Sequence, residues 1–292
     1  MKLLFLISIL ICLLQSETIL VMDSNSEVKK YTETIDAFRK NINQDFALLD
    51  LSNMSAKEIK NALYDIYPDI VYAVGAKAYQ YANAYIPEKT IYFSSIIDFQ
   101  KFDIRGKRYG ISNELHSGMQ LTLIKSVFPN VKSLGVMYSQ HTENILHDLH
   151  QNAQKIGIEL IPLKITKAPM ERAKLENFIK DSDALMIIPD PLLLSDTARV
   201  STFFNLTKKY KKAVIAYHEL FINYGAVLAL SVDNPTIGRQ VAMMIQDHNS
   251  HEQTMAIQYP VGTHIIFNKH EADMLGLKIN PDIAQIATKI LE

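Results

Sequence analysis

The chain has 292 residues, of which 48% are hydrophobic and 21% are charged. This ordinary globular composition excludes a disordered chain, and the length predicts about two domains. Lys and Arg number 30 and Asp and Glu number 31, so the formal net charge of −1 includes no basic excess to attract nucleic acid. The single cysteine excludes a disulfide framework and a cysteine-based metal site.

The first sixteen residues have the pattern of an export signal. Lys2 precedes the uncharged apolar run Leu3–Leu14, which has the length of a signal-peptide core, and Ser16 is a small residue before a cut. We therefore predict an exported protein that is periplasmic or associated with the cell surface. The alternatives are a retained membrane anchor, a buried first strand, or a lipid on Cys12; Ile11 argues against the lipid because lipoprotein signals usually place a small residue there.

The rest of the chain alternates apolar runs with amphipathic helical repeats. Eight runs predict strands at 18–22, 46–49, 70–74, 90–93, 134–138, 158–165, 184–188 and 213–217. Because the runs are continuously apolar and helices separate them, each half predicts a parallel sheet covered on both faces. Later runs at 226–230 and 265–267, with a helix opened by Asn234-Pro235 between them, can return the chain to the first sheet and back. The fold class is therefore α/β, with two Rossmann-like lobes joined by short crossings.

Local signals predict where several helices begin. Ser55 and Glu58 form the pattern of a capping box, and the helix that follows is expected to bury Ile59, Leu63 and Ile66. Further helix starts are predicted at Pro169, Ser195 and Asn280-Pro281.

No catalytic motif is present in the sequence. A glycine-rich dinucleotide loop, a Walker loop and a nucleophile elbow are all missing, so we predict no enzyme activity and no cofactor. His147 and His150 lie three residues apart, with His141 nearby, but a solvated helix face explains this spacing as well as a metal does. His248 and His251 lie in a polar stretch without a carboxylate pattern, and no metal site is predicted.

Small polar residues follow most of the predicted strands. In open α/β sheets, ligands bind outside the carboxyl ends of the strands. The candidate ligand-binding residues in these loops are Ser24, Asn25, Gly75, Ala76, Ser94, Ser95, Asp98, Tyr138, Ser139, Asp190 and His218. The helix amides after Gly75 could hold a carboxylate, and Asp190 could pair with an ammonium, which favours an amino acid or a related metabolite. The competing interpretation is local: Ser and Asp cap helices, and Gly permits a turn.

Several motifs, in a fixed order over nearly the whole chain after the leader, carry a family resemblance. They are 91–98 (IYFSSIID), 109–112 (YGIS), 134–138 (LGVMY), 183–190 (DALMIIPD), 231–242 (SVDNPTIGRQVA) and 275–277 (LGL). In these motifs the chain resembles the substrate-binding proteins of a bacterial ABC-transporter family, some members of which are linked to aromatic amino acids.

The resemblance implies a type I periplasmic-binding-protein fold with three interlobe crossings. With the signal peptide at 1–16 that the leader pattern predicts, this fold gives an N-terminal lobe at 17–112 plus about 231–262 and a C-terminal lobe at 113–230 plus about 263–292. The family pocket maps onto Ser94, Ser95, Asp98, Tyr138, Asn144 and Asp190. The chain departs from the family's Gly-Thr, Asp-Pro and Thr-Asp-Asn patterns at Gly75-Ala76, Asp98-Phe99 and Pro189-Asp190-Pro191, which leaves the ligand's identity open.

These observations predict an exported, monomeric receptor that binds a small molecule in an interlobe cleft. Ligand binding would favour the closed form, which would dock on the membrane permease of an ABC transporter. A sensory subunit of a membrane signalling protein is the alternative, and an enzyme on the same scaffold is a more distant one. A lac-repressor-type regulator is disfavoured because an export signal stands where DNA-binding helices are expected. With Asp190 as a ligand contact, Asp190→Ala is expected to abolish ligand stabilisation without changing the melting temperature of the free protein.

Overall fold

The computed structural model describes residues 17–97, 99–168, 170–247 and 256–292. The predicted leader, Cys12, Asp98, Pro169 and the pair His248 and His251 lie outside these residues.

The chain divides into two compact units. Unit 1 takes the residues up to Glu114 together with Asp233–Gly262, and unit 2 takes Leu115–Val232 together with Thr263–Glu292. The chain therefore passes between the units three times.

Strands and helices alternate along most of the chain. The strands in the described residues are β1 (Ile19–Asp23), β2 (Phe46–Asp50), β3 (Ile70–Val74), β4 (Thr90–Ser94), β5 (Arg108–Ile111), β6 (Ser133–Tyr138), β7 (Glu159–Lys164), β8 (Ala184–Ile187), β9 (Ala213–Ala216), β10 (Leu228–Val232), β11 (Ile257–Gln258), β12 (Thr263–Asn268) and β13 (Lys289–Leu291). The helices are α1 (Lys29–Asn41), α2 (Ala56–Ile66), α3 (Ala76–Tyr85), α4 (Ser117–Val127), α5 (Glu143–Lys155), α6 (Arg172–Asp181), α7 (Pro191–Leu194), α8 (Thr197–Lys209), α9 (Asn234–Gln246), α10 (Lys269–Leu275) and α11 (Ile283–Ile286). Short 3₁₀ helices lie at Phe99–Lys101 and Glu219–Tyr224.

Unit 1 is built on a parallel sheet with the strand order β11-β5-β4-β3-β1-β2. The central strands β1, β3 and β4 are buried along their whole length, as their unbroken apolar sequences predict. The edge strand β2 is not covered on both faces, and its residue Leu48 is 48% exposed. The sheet order places the carboxyl ends of β1, β3 and β4 next to one another.

Unit 2 is built on a sheet with the order β13-β12-β10-β9-β8-β6-β7. Its pairs are parallel except for β10 with β12, which is antiparallel because the chain leaves at Val232 and re-enters beside it at Thr263. The predicted late strand remains in this sheet as β10, and α9 and β11 are the elements that return to unit 1. The predicted α/β fold class with two parallel-dominated sheets is confirmed.

The start of α2 confirms the predicted capping box. The Ser55 hydroxyl accepts a hydrogen bond from the Glu58 N–H (3.4 Å), and the Glu58 carboxylate accepts one from the Ser55 N–H (2.8 Å). Ile59 and Leu63 are buried as expected. The prediction for Ile66 is wrong: it is 41% exposed, because α2 ends there and Tyr67 turns the backbone into the left-handed region.

Two other predicted helix starts are shifted. Asp196, rather than Ser195, caps α8, with its carboxylate accepting the Arg199 N–H at 2.9 Å. Ser195 instead ends the short helix α7. The helix predicted at Asn280-Pro281 begins later, as α11, and leads into the edge strand β13.

Helices α1 and α9 pack closely in unit 1. The contact depends on Gly238, where an added Cβ would lie 2.0 Å from the carbonyl oxygen of Thr34 and 2.9 Å from the backbone nitrogen of Phe38. The Asn234 side chain also donates to the Glu33 carboxylate at 3.1 Å. Helix α9, in the segment that returns from unit 2, therefore packs directly on the backbone of α1.

Candidate functional site

Three loops in unit 1 lie side by side where β1, β3 and β4 end, and we call them the unit 1 edge: residues 23–25, 75–78 and 94–95. The Ser24 N–H donates to the carbonyl of Val74 (3.0 Å), and the Gly75 N–H donates to the carbonyl of Ser94 (2.9 Å). These bonds extend the parallel ladder by one residue beyond each strand. They bring together six of the predicted residues, namely Ser24, Asn25, Gly75, Ala76, Ser94 and Ser95.

Gly75 is required where β3 meets α3. Its φ is +88°, and an added Cβ would lie 2.6 Å from the Ser24 hydroxyl and 2.8 Å from the Tyr31 hydroxyl. The Ser24 hydroxyl accepts the Ala78 N–H at 2.9 Å, so one of the helix amides predicted for an anion is already paired. The two preceding amides, at Ala76 and Lys77, have no hydrogen-bond partner in the described part of the chain.

The two serines at the end of β4 have different roles. The Ser94 hydroxyl lies 2.7 Å from the Tyr72 hydroxyl, and both residues are fully buried. Burial raises the pKa of Tyr72. Because the Ser94 hydroxyl is buried and hydrogen-bonded to Tyr72, it belongs to the core. Ser95 has a φ of +59° and is 2% exposed, yet its hydroxyl has no hydrogen-bond partner among the described residues.

Asp23 ends β1 and is 3% exposed. Its Oδ1 accepts the Asn25 N–H at 3.0 Å, and no described donor reaches Oδ2. Burial raises the pKa of the Asp23 carboxyl; the hydrogen bond from Asn25 opposes this shift and the nearby Asp50 carboxylate adds to it. The pKa of the Tyr31 phenol is also raised, first by burial and then by the Asp23 carboxylate. Tyr31 lies against this edge, because its hydroxyl and that of Ser24 would both lie within 2.8 Å of an added Cβ at Gly75.

Asn25 stabilises its own loop. Its Oδ1 accepts the Glu27 N–H (3.0 Å) and the Ser52 hydroxyl (3.2 Å), which uses the predicted ligand-binding oxygen locally.

In unit 2, Asp190 connects the loops that follow β6 and β8. It is fully buried. Its Oδ1 accepts the N–H groups of Leu192 (2.9 Å) and Leu193 (3.1 Å). Its Oδ2 accepts the N–H of Ser139 (2.8 Å) and the hydroxyl of Thr142 (2.6 Å). Four donors from its own unit surround this carboxylate.

These bonds favour the competing local interpretation of Asp190 over its pairing with a ligand ammonium. Its lone pairs are occupied, because it caps α7 and holds the Ser139 loop at once. The expectation that Asp190→Ala leaves the melting temperature unchanged is also revised. Removing the carboxylate would leave several buried donors without an acceptor.

The other predicted unit 2 residues lie at the end of β6, just after β9 and in the first turn of α5. Tyr138 is partly buried, with the Lys164 ammonium 6.0 Å from its ring centroid. His218 is exposed, and its Nδ1 accepts the Leu220 N–H at 3.2 Å, which is again a local cap. Asn144 is exposed in the first turn of α5.

Sequence reasoning placed Asp23 in the first of the candidate loops without choosing it as a ligand-binding residue, and it missed Tyr31, which lies beside the unit 1 edge on α1. An acidic residue directly after four apolar strand residues was the available signal for Asp23. No signal was available for Tyr31, because its position on α1 follows from the packing of that helix against β3.

The described residues contain no cluster of three or more His, Cys, Asp or Glu side chains that could hold a metal ion. Within those same ranges, no helix is long and apolar enough to cross a bilayer.

Two doubly wound α/β units linked by three chain passages, with polar loops at the carboxyl ends of the strands, define the type I periplasmic-binding-protein fold. Residues 35–291 match the family model for the ABC transporter substrate binding protein, and the chain belongs to this family. The predicted family resemblance is confirmed.

Individual relatives are distant in sequence. A tyrosine-binding protein of Clostridioides difficile (strain R20291) is 23% identical over 208 residues, which cover 68% of this chain and 59% of that protein. The ligand-free, open structure of a substrate-binding protein with adhesive properties from Clostridium difficile has a TM-score of 0.70 at 18% identity, covering 95% of this chain and 99% of that chain. An ABC domain in complex with L-Trp from Streptococcus pneumonia has a TM-score of 0.59 at 17% identity, covering 95% and 100%. The two structures support the fold.

Proposed function

We propose that this protein is an exported, monomeric solute-binding protein. It captures an amino acid and delivers it to the permease of an ABC transporter. Family membership supports the binding role, and the names of the relatives, one tyrosine-binding and one in complex with L-Trp, favour an amino acid with an aromatic side chain. The leader at residues 1–16 and a location outside the cytoplasmic membrane belong to the same proposal.

One observation carries the proposal: the unit 1 edge contains polar groups that have no partner among the described residues. They are the buried hydroxyl of Ser95 and the amides of Ala76 and Lys77 at the start of α3. Buried polar groups are rarely left unpaired in native proteins, so a ligand or water is expected here. Two adjacent amides at a helix N-terminus suit a carboxylate.

Binding in this proposal requires no chemical step. The family is one of binding proteins rather than enzymes, and the geometry of the site serves recognition. Ligand binding favours the conformation that buries the ligand, because burial removes the ligand from water and completes its contacts. The permease would then recognise that conformation.

A thermal-shift screen of the protein without residues 1–16 tests this function. The panel contains L-tyrosine, L-tryptophan, the other amino acids, nucleosides, sugars and small organic acids. At 100 times its dissociation constant, a true ligand should stabilise the protein by roughly 2.7 kcal/mol. A shift with aromatic amino acids supports the proposal, whereas a panel in which only sugars or nucleosides stabilise contradicts it.

Two neighbouring serines provide a matched test of the site. Ser95→Ala removes a hydroxyl that has no partner among the described residues, so stability should hold while affinity for the amino acid falls about 10-fold. Ser94→Ala breaks the bond to Tyr72, so it should cost about 1 kcal/mol of stability and leave affinity nearly unchanged. Isothermal titration calorimetry and urea unfolding measure the two effects. Equal affinities for Ser95→Ala and wild type would exclude Ser95 from the site.

A further inference from the structure

Asp23 differs from the other buried acid of the candidate loops in its capacity to bind a cation. Asp190 accepts four hydrogen bonds, whereas Asp23 accepts one, from Asn25, and its Oδ2 has no partner in the described ranges. Among those residues, no Lys, Arg or His forms an ion pair with Asp23.

The surroundings of Asp23 make its charge unfavourable in the free protein. Asp23 is 3% exposed and lies opposite Asp50 in the register of β1 with β2. A buried carboxylate without a counterion, next to a second carboxylate, is costly. A cationic ligand group at Oδ2 would remove this cost.

The position of Asp23 also places it beside candidate donors for a carboxylate. The amides of Ala76 and Lys77, which have no partner among the described residues, follow β3, the strand next to β1. Because neighbouring strands lie about 4.8 Å apart, Asp23 and these amides occupy adjacent positions at the carboxyl ends of the strands. The buried Ser95 hydroxyl, also without a partner in the described ranges, follows β4, one strand further, and independently indicates a polar ligand at the same edge.

We propose that Asp23 accepts the ammonium group of the ligand, so that the site selects zwitterionic amino acids over acids that lack the amine. This inference rests on the proposed function, since it assigns a specificity-determining residue to the same site. The Asp23 carboxylate binds the ammonium, the Ala76 and Lys77 amides bind the carboxylate, and the side chain of the ligand extends away from the unit 1 edge.

Calorimetry with two pairs of probes tests the assignment. The pairs are L-tyrosine with 3-(4-hydroxyphenyl)propanoate and L-tryptophan with 3-(indol-3-yl)propanoate, where the second compound of each pair lacks the amine. Wild type should bind the amino acid about 10- to 100-fold more tightly than its partner, as expected for one charge-assisted hydrogen bond. Asp23→Asn should lose that preference, with little change for the compounds without an amine.

Asp50→Asn is the matched control. Asp50 lies at the same edge, but its carboxylate accepts the Ser26 hydroxyl (2.7 Å) and the Ser52 N–H (2.9 Å). Its replacement should change the affinity for L-tyrosine less than about 3-fold. Asp23→Asn should melt at or above the wild-type temperature, because it removes an uncompensated buried charge.

The outcomes separate the inference from the function. If wild type binds the compounds without an amine as tightly as the amino acids, or if Asp23→Asn binds L-tyrosine or L-tryptophan as tightly as wild type does, the inference is overturned and the function stands. The wild-type preference needs no variant, so a folding defect in Asp23→Asn would not remove the test. If wild type binds none of the amino acids, the proposed function fails and the inference fails with it.

Discussion

Asp190→Ala is expected to lower the free energy of unfolding by about 2–4 kcal/mol. The Asp190 carboxylate is fully buried and accepts the N–H groups of Ser139, Leu192 and Leu193 and the hydroxyl of Thr142. Alanine would leave these donors without an acceptor, and α7 would lose its cap. Urea unfolding followed by circular dichroism measures the loss.

Asp196→Ala is the matched control for this effect. Asp196 also caps a helix of unit 2, but it accepts only the Arg199 N–H in that cap and its side chain is 44% exposed. Its replacement should cost about 1 kcal/mol. Equal losses for the two variants would mean that the buried donors around Asp190 find other partners, and Asp190 would again be a candidate ligand contact.

The pKa of the Asp190 carboxyl predicts how the difference in unfolding free energy between wild type and Asp190→Ala depends on pH. Burial raises the pKa of Asp190, but the hydrogen bonds from Thr142, Ser139 and Leu193 outweigh it, and the net pKa is lowered. Because the pKa is lower in the folded protein, the contribution is complete above the unfolded value of about 4 and is lost as the pH falls through the folded value. The gap between wild type and Asp190→Ala should therefore stay constant from pH 7 to about pH 5 and shrink only in stronger acid.

Gly238→Ala is expected to destabilise unit 1 by about 3 kcal/mol. The added methyl group would lie 2.0 Å from the carbonyl oxygen of Thr34 and 3.0 Å from its carbonyl carbon. Both atoms belong to the backbone of α1, so the contact can be relieved only by moving one helix away from the other. Chemical unfolding of the variant measures the cost.

Gly118→Ala is the control for a glycine in a helix. Gly118 lies in the first turn of α4, and the nearest atom to an added Cβ is in the His116 ring, at 3.0 Å. That ring belongs to a side chain that can move, and alanine favours the helix, so stability should stay equal or rise by up to about 1 kcal/mol. Should Gly238→Ala prove as stable as wild type, the close packing of α1 on α9 would not hold.

The local hydrogen bonds explain why residue types alone did not assign the candidate site. The unit 1 edge does assemble from the loops that the sequence singled out, because parallel strands present their carboxyl ends at one side of a sheet. The roles within it are decided by partners remote in sequence. Ser94 is committed to Tyr72, 22 residues away, and Ser24 to Ala78, 54 residues away.

By itself the sequence determined the α/β class, the alternation of strands and helices, the capping box at Ser55 and the family, because these depend on patterns over neighbouring residues or on motifs in a fixed order. Only the tertiary structure decided which polar groups remain available. It surrounded Asp190 with donors and left one oxygen of Asp23 without a partner in the described part of the chain, although both are acidic residues that follow buried strands. The physical reason is that hydrogen-bond capacity is used up by whichever donors the packing brings near, and those donors lie in other strands and loops.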